Sequence, residues 1–169
     1  MSLLRIVKMG DPVLCKKARP VSQIDDDLRK TLGDMFQTMY AAPGVGLAAN
    51  QVGLTGRFAV LDVQPEGKHH PMVLINPVIE SRSGSIYDEE GCLSIPGFAA
   101  RVRRASRVRV RAVNEQGLPV VIEGEGLMAR CLQHEIDHLN GKFYIDHLSL
   151  LQRLKIKREI ARRKKSGLF

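Results

Sequence analysis

The chain has no tryptophan, only 5% aromatic residues and three cysteines. Three thiols cannot all pair within one chain, and Cys15, Cys92 and Cys131 outline no disulfide framework. A small stapled secreted scaffold is therefore excluded, and a reducing cytoplasm fits. No apolar run approaches the roughly 20 residues that a membrane-spanning helix needs. The start, Met1-Ser-Leu-Leu-Arg5, lacks the apolar centre of a signal peptide and any long Arg- and Ser-rich presequence. A cytoplasmic location without a membrane partner is the expectation. Repeats and long linkers are also missing. What is present is ordinary for a globule: 169 residues, 44% hydrophobic and 26% charged. That size predicts one domain over residues 1–169 with a sizeable core.

Acidic residues are scarce at one end. Residues 148–169 carry eight Lys or Arg against one acid, Glu159, so almost all of the net +8 sits there. The high isoelectric point describes a basic C-terminal segment, 149–169, rather than a basic globule. Ser149 with Gln152 forms a reciprocal capping pair, which predicts a helix opening there. The pattern predicts apolar contacts near Leu151 and Leu154 and a dense basic surface beyond.

Residues 133–138 read Gln-His-Glu-Ile-Asp-His. On a helix, residues four apart stand on one face, so His134 and His138 can offer two imidazole nitrogens to one metal ion. Glu135 stands beside them, suited to take a proton from water rather than to bind the metal. Leu127, Cys131, Leu132, Ile136 and Leu139 supply the apolar spacing of a helix, and Gly141 a stop. A catalytic metal needs a third protein ligand and an open position. Position 144 is Tyr144, which rules out the pattern with a third His six residues on. His147 lies in a turn-like stretch. Glu159 sits in a basic segment and reads as a solvated ion-pair partner. Cys131 shares the helix, and three ligands from one straight helix cannot surround a tetrahedral ion. Cys92 remains, in Glu90-Gly-Cys-Leu-Ser94, where the glycine suits a close approach to a metal.

Three segments together resemble the motifs of bacterial-type peptide deformylases, in the same order and spacing. They are Gly44-Val-Gly-Leu-Ala-Ala-Asn-Gln51, Glu90-Gly-Cys-Leu-Ser94 and Gln133-His-Glu-Ile-Asp-His138. The similarity runs from about Ile6 to about Leu151. It implies a metal-dependent hydrolase that removes the formyl group from the N-terminal N-formylmethionine of nascent polypeptides and releases formate. It further implies Fe(II) as the physiological ion, with zinc, nickel or cobalt able to substitute. Cys92, His134 and His138 would be the ligands and Glu135 the general base. Gln51 and the backbone N–H of Leu93 would donate to the developing oxyanion. Gly44, Val45 and Gly46 on one side and Glu89 and Gly91 on the other would hold the peptide as an added strand. Gly44 and Gly46 would leave room for the peptide backbone. Leu127 and Cys131 would line the pocket for the first methionine side chain. An ion pair of Glu90 with Arg104 would support the Cys92 segment. Asn50 and Ala99–Ala100 depart from residues more frequent in the family. The resemblance also implies docking of the basic C-terminal helix on the ribosome near the peptide exit. A monomer is expected.

Two other functions remain open on residue types alone. One is a metalloprotease built on the same helix, against which a cysteine ligand argues. The other is a non-catalytic ribosome- or RNA-binding protein with a structural metal, against which Glu135 and an open coordination position argue. The arginine-rich stretch Arg101–Arg111 could line a nucleic-acid groove. Its charges alternate with apolar residues and no aromatics interleave, which favours a solvated strand face.

The remaining pattern predicts a helix over about 26–40 capped by Asp25 or Asp26, and a Gly44–Gln51 loop turning into a strand. Strands are expected at 57–63, 72–76 and 107–113, with a partner at 119–123. The fold class expected is α+β. Small mixed or antiparallel sheets pack around a central metal-binding helix, with a further helix at the C-terminal end.

Overall fold

A computed structural model describes residues 2–64 and 67–169. The fold is α+β. Among the described residues three α-helices, α1 (Asp26–Ala41), α2 (Gly126–Leu139) and α3 (Leu150–Lys165), accompany seven strands. These are β1 (Gly46–Ala48), β2 (Phe58–Leu61), β3 (Met72–Ser83), β4 (Ile86–Gly91), β5 (Ala99–Arg104), β6 (Arg107–Val113) and β7 (Pro119–Glu125). Five of them form one antiparallel sheet in the order β1-β2-β3-β6-β7, and β4 pairs with β5 in a separate two-stranded sheet.

The larger core lies between α1, the five-stranded sheet and α2. Leu32, Met35 and Met39 of α1 meet Leu47, Val60, Leu74 and Val110 of the sheet and Leu132, Ile136 and Leu139 of α2. The alternation in Arg107–Val113 explains β6: Val108, Val110 and Ala112 are buried while the arginines between them are exposed. Asp25 caps α1 by accepting the Leu28 N–H at 2.8 Å. Under the small sheet lies a second core of Leu14, Ile95, Val102, Phe143, Tyr144, Ile145 and Ile160. The two cores place α2 between the sheets, so one face of the helix looks across at β4 and the loop after it.

Three expectations change. Strand β3 runs to Ser83, well past residue 76, because register shifts after Ile75 and Ile79 let it bend and keep pairing with β6. Arg101–Arg111 is two strands in different sheets, broken at Ala105–Ser106, so its arginines do not share one surface. The apolar anchor of α3 is not Leu151 or Leu154, which are 80% and 40% exposed, but Ile160 at 4%. Ile156 packs beside Ile160. The first turn of α3 overhangs solvent, and only its later turns reach the second core.

Candidate metal centre and substrate groove

Helix α2 brings His134 and His138 one turn apart with their Nε2 atoms 3.2 Å from each other. The segment after β4 delivers Cys92, whose Sγ lies 3.2 Å from His138 Nε2. A turn closed by the Ile95 N–H on the Cys92 carbonyl, at 2.9 Å, shapes that segment. The three donor atoms lie within 4.8 Å of one another. A sulfur and two imidazole nitrogens at this spacing suit one tetrahedral or open-site ion of borderline softness.

The surroundings fix how these donors point. His134 Nδ1 lies 3.1 Å from Glu90 Oε2, which leaves Nε2 turned toward the cluster. Arg104 grips the same carboxylate with two bonds, Nε to Oε1 at 2.9 Å and Nη2 to Oε2 at 3.0 Å. Its remaining Nη1 meets Asp137 Oδ2 at 2.5 Å, and His147 Nε2 reaches that same oxygen at 2.6 Å. Glu90 and Arg104 are both buried. Burial opposes ionisation of Glu90, yet the bonds and charges of His134 and Arg104 outweigh it and hold the carboxyl at about 2. Burial likewise opposes a thiolate at Cys92, but His138 and His134 beside it pull the thiol well below its ordinary range. The form that binds metal is thus the favoured one.

Glu135 lies on the same helix with 3% exposure, and its Oε2 has no hydrogen-bond partner among the described residues. Burial pushes its carboxyl upward, against the pull of His134 and His138. A raised carboxyl with a free oxygen suits proton transfer. Gln51 is oriented by its own backbone neighbourhood. Its Oε1 accepts the Ala48 N–H at 2.8 Å, which turns the amide nitrogen toward Cys92 Sγ at 3.6 Å and Ser94 Oγ at 3.4 Å. No carbonyl or side chain among the described residues takes the Leu93 N–H. These groups border a cavity of about 800 Å³, whose walls include Gly44, Val45, Glu89, Leu93, Leu127 and Cys131.

A family model for polypeptide deformylases matches residues 3–154. The chain belongs to the peptide deformylase family. Members are metal-dependent hydrolases that take the formyl group from the N-formylmethionine of newly made polypeptides, and that is the reaction of this chain. A peptide deformylase of Alkalilimnicola ehrlichii is 50% identical over 167 residues, covering 99% of this chain and 94% of that protein. One of Cellvibrio japonicus is 46% identical, covering 99% of both. The crystal structure of a peptide deformylase from Legionella pneumophila superposes with a TM-score of 0.90 at 45% identity, over 98% of this chain and 97% of that one. That of the Ehrlichia chaffeensis peptide deformylase in complex with actinonin gives 0.91 at 39%, over 98% of both chains.

Around the candidate site, some sequence expectations acquire different physical reasons. A Cβ at Gly46 would stand 2.4 Å from Glu135 Oε1 and 2.9 Å from Cys131 Sγ. At Gly44 it would stand 2.9 Å from Leu93 Cδ1. Both glycines therefore let the loop close on the groups beneath it, rather than simply leaving room for a peptide. Cys131 is buried with a thiol pushed well above its ordinary range by burial, and its Sγ faces the Val45 carbonyl at 3.5 Å. It is a wall, not a donor to the cluster. Leu127 is 52% exposed at the rim of the cavity. Asn50, where the family more often has another residue, donates its side-chain amide to the His138 carbonyl. The departure thus touches the backbone of a cluster residue. Ala99, the other departure, lines the cavity without a polar side chain.

Two residues escaped the sequence reading. Arg130, 8% exposed, donates to Asp88 Oδ2 at 2.8 Å and to the Glu89 carbonyl, tying β4 to α2. Asp137 anchors Arg104. The available signal for both was a charged residue one or two turns from a histidine on the inward face of the helix.

Proposed function

We propose that Cys92, His134 and His138 hold the catalytic metal of this deformylase, with Glu135, Gln51 and the Leu93 N–H acting on the formyl group. The observation that carries this reading is the meeting of a thiol and two imidazoles beside a buried carboxyl, one oxygen of which has no partner among the described residues, in the wall of the cavity. When bound, the metal polarises the formyl oxygen and makes water a nucleophile near neutral pH. Glu135 takes the proton of the attacking water at its free carboxylate oxygen and passes it to the departing amine. The Gln51 amide and the Leu93 N–H donate to the formyl oxygen as negative charge grows on it. The Ala48 N–H keeps the Gln51 amide facing that way. Arg104 and Glu90 hold His134 in the tautomer that points Nε2 at the metal.

The peptide lies between β1, an edge strand of the larger sheet, and β4, an edge strand of the smaller one. Val45 and Gly46 face it from one side and Glu89 and Gly91 from the other, with Gly44 shaping the approach. Leu127 and Cys131 border the pocket for the first side chain. Fe(II) is the proposed physiological ion, with zinc, nickel or cobalt as substitutes, since thiolate and imidazole donors accept all four. The whole chain acts as one cytoplasmic, monomeric domain, and α3 docks on ribosomes near the peptide exit. No helix among the described residues is long and apolar enough to cross a membrane.

The test is formate release from a formyl-methionyl peptide by anaerobically purified, iron-loaded protein. The reading predicts stoichiometric formate and a free amino terminus, with internal peptide bonds intact. Iron-loaded protein that released no formate, or that cut internal bonds, would overturn it.

A further inference from the structure

The arginines of β5 and β6 have different fates. On β6, Arg107 pairs with Glu125, Arg109 with Glu80 and Glu123, and Arg111 with Glu80. That face is charge-balanced. Beside α2, lined by Gln133 and Asp137 of that helix, a second cavity of about 430 Å³ gathers cations that have no such partners. Arg82, Arg103 and Lys142 stand at its mouth, all exposed, and none forms an ion pair with a carboxylate among the described residues. Arg103 donates only to Ser85 Oγ, at 3.1 Å, and its guanidinium lies 5.7 Å from the Tyr87 ring centroid.

The floor offers no acid to neutralise them. Asp137 is the only acidic residue among the cavity's lining, and it is already engaged by Arg104 and His147 at 2.5 and 2.6 Å. Gln133 donates its amide to the Ala105 and Ala129 carbonyls. Three free cations around a concave space call for an oxyanion with several acceptor oxygens. Guanidinium groups pair with phosphate through two parallel N–H bonds, which ammonium groups supplement as point charges.

We propose that this cavity is a phosphate-binding site for a compact phosphorylated small molecule. The size argues for compactness, and so does the neighbouring face. An extended polynucleotide needs a continuous basic track, and the Glu80, Glu123 and Glu125 carboxylates interrupt one along β6. The site shares Arg104 and Asp137 with the supports of His134, so an occupant touching Arg104 connects to His134 through Arg104 and Glu90.

The experiment is amide NMR of the zinc-loaded protein at low salt, titrated in separate arms with inorganic phosphate, adenosine monophosphate and a short single-stranded RNA. Phosphate and the nucleotide should shift amides at 82–85, 103–105 and 142, saturably. The double variant Arg82→Ser/Lys142→Ser should weaken apparent affinity by about tenfold or more, since two charge-assisted contacts are removed. Formate release without added anion should stay unchanged, because neither side chain touches the substrate groove. Unchanged affinity in the variant would overturn the proposal, as would shifts confined to the substrate groove. So would saturable binding of the RNA at these amides with none of free phosphate or nucleotide.

Discussion

Helices α2 and α3 are nearly the same length, fourteen and sixteen residues, and they treat their charges in opposite ways. In α2 nine residues are buried, among them Arg130, Glu135 and His138. In α3 only Ile160 is buried, and most of its basic residues are exposed, though Arg163 of the last turn lies over the Phe98 ring. The inward charges of α2 and its surroundings are fixed by short bonds to Glu90, Arg104 and Asp88. Those of α3 meet mostly solvent or partly exposed partners, as where Glu159 pairs with Arg162 and Arg163 and Arg153 with Asp146. The contrast has an energetic basis. Removing one partner from a buried ion pair costs about 3–5 kcal/mol, whereas exposed pairs contribute about 0–1 kcal/mol. Chemistry that needs fixed distances is therefore better served by α2, where the proposed site lies. Any attraction α3 exerts is long-ranged, screened by salt and indifferent to exact side-chain position.

The comparison breaks first at Glu135. Glu135→Gln preserves shape and should retain the metal, while formate release falls by roughly 10²–10⁴-fold for the lost base. Metal content and turnover measured on one sample decide it, and near-normal turnover in metal-loaded variant would remove Glu135 from the reaction. Gln51→Ala should come next, lowering kcat by roughly 10²–10³-fold through the loss of one oxyanion donor. An effect on KM alone would make Gln51 a binding residue only. Arg104→Met should then cost about 10–100-fold in metal affinity or activity. It leaves Glu90 buried and Asp137 half-buried without the guanidinium that bridges them, so thermal stability should drop as well. If metal affinity holds while stability falls, Arg104 supports the fold and not His134.

How legible all this was depends on whether the information is local. His134, Glu135 and His138 follow from one helical period, and the Asp25 and Ser149 caps from their own neighbours. The α+β class followed from the mixture of periods. The Glu90–Arg104 contact joins positions in one hairpin-like pair of strands, and only the family resemblance suggested it. Apart from the Cys92 cluster, what could not be read was set by packing between distant segments. The contact of Gly46 with Glu135, the reach of Asn50 to the His138 carbonyl and the grip of Arg130 on β4 each join residues more than 40 positions apart. The anchor of α3 failed for a related reason. Leu151 and Leu154 are apolar at helical spacing, but spacing says which residues share a face and not which turn of the helix meets the core.

That misplaced anchor changes how the role of α3 should be tested. Deleting everything after Leu151 removes the basic surface, but it also strips Ile160 from the second core. It further removes Arg163, whose guanidinium stacks 4.4 Å over the Phe98 ring beside the substrate cavity, and Phe169, 6.4 Å from the same ring. A truncated protein with low activity would say nothing about docking. Replacing only outward cations separates the two. Lys155, Lys157 and Arg158 are exposed and carry no ion pair among the described residues. In Lys155→Gln/Lys157→Gln/Arg158→Gln, hydrolysis of a short formyl peptide should stay within about twofold, as surface substitutions do. Co-sedimentation with ribosomes at low salt should fall, and the slope of log affinity against log salt should shrink by about 2–3 for three lost phosphate contacts. Sedimentation equal to that of the unaltered chain would show that docking lies elsewhere. A fall in peptide hydrolysis with sedimentation intact would place α3 on the same side of the comparison as α2, as a support of the site rather than a contact surface.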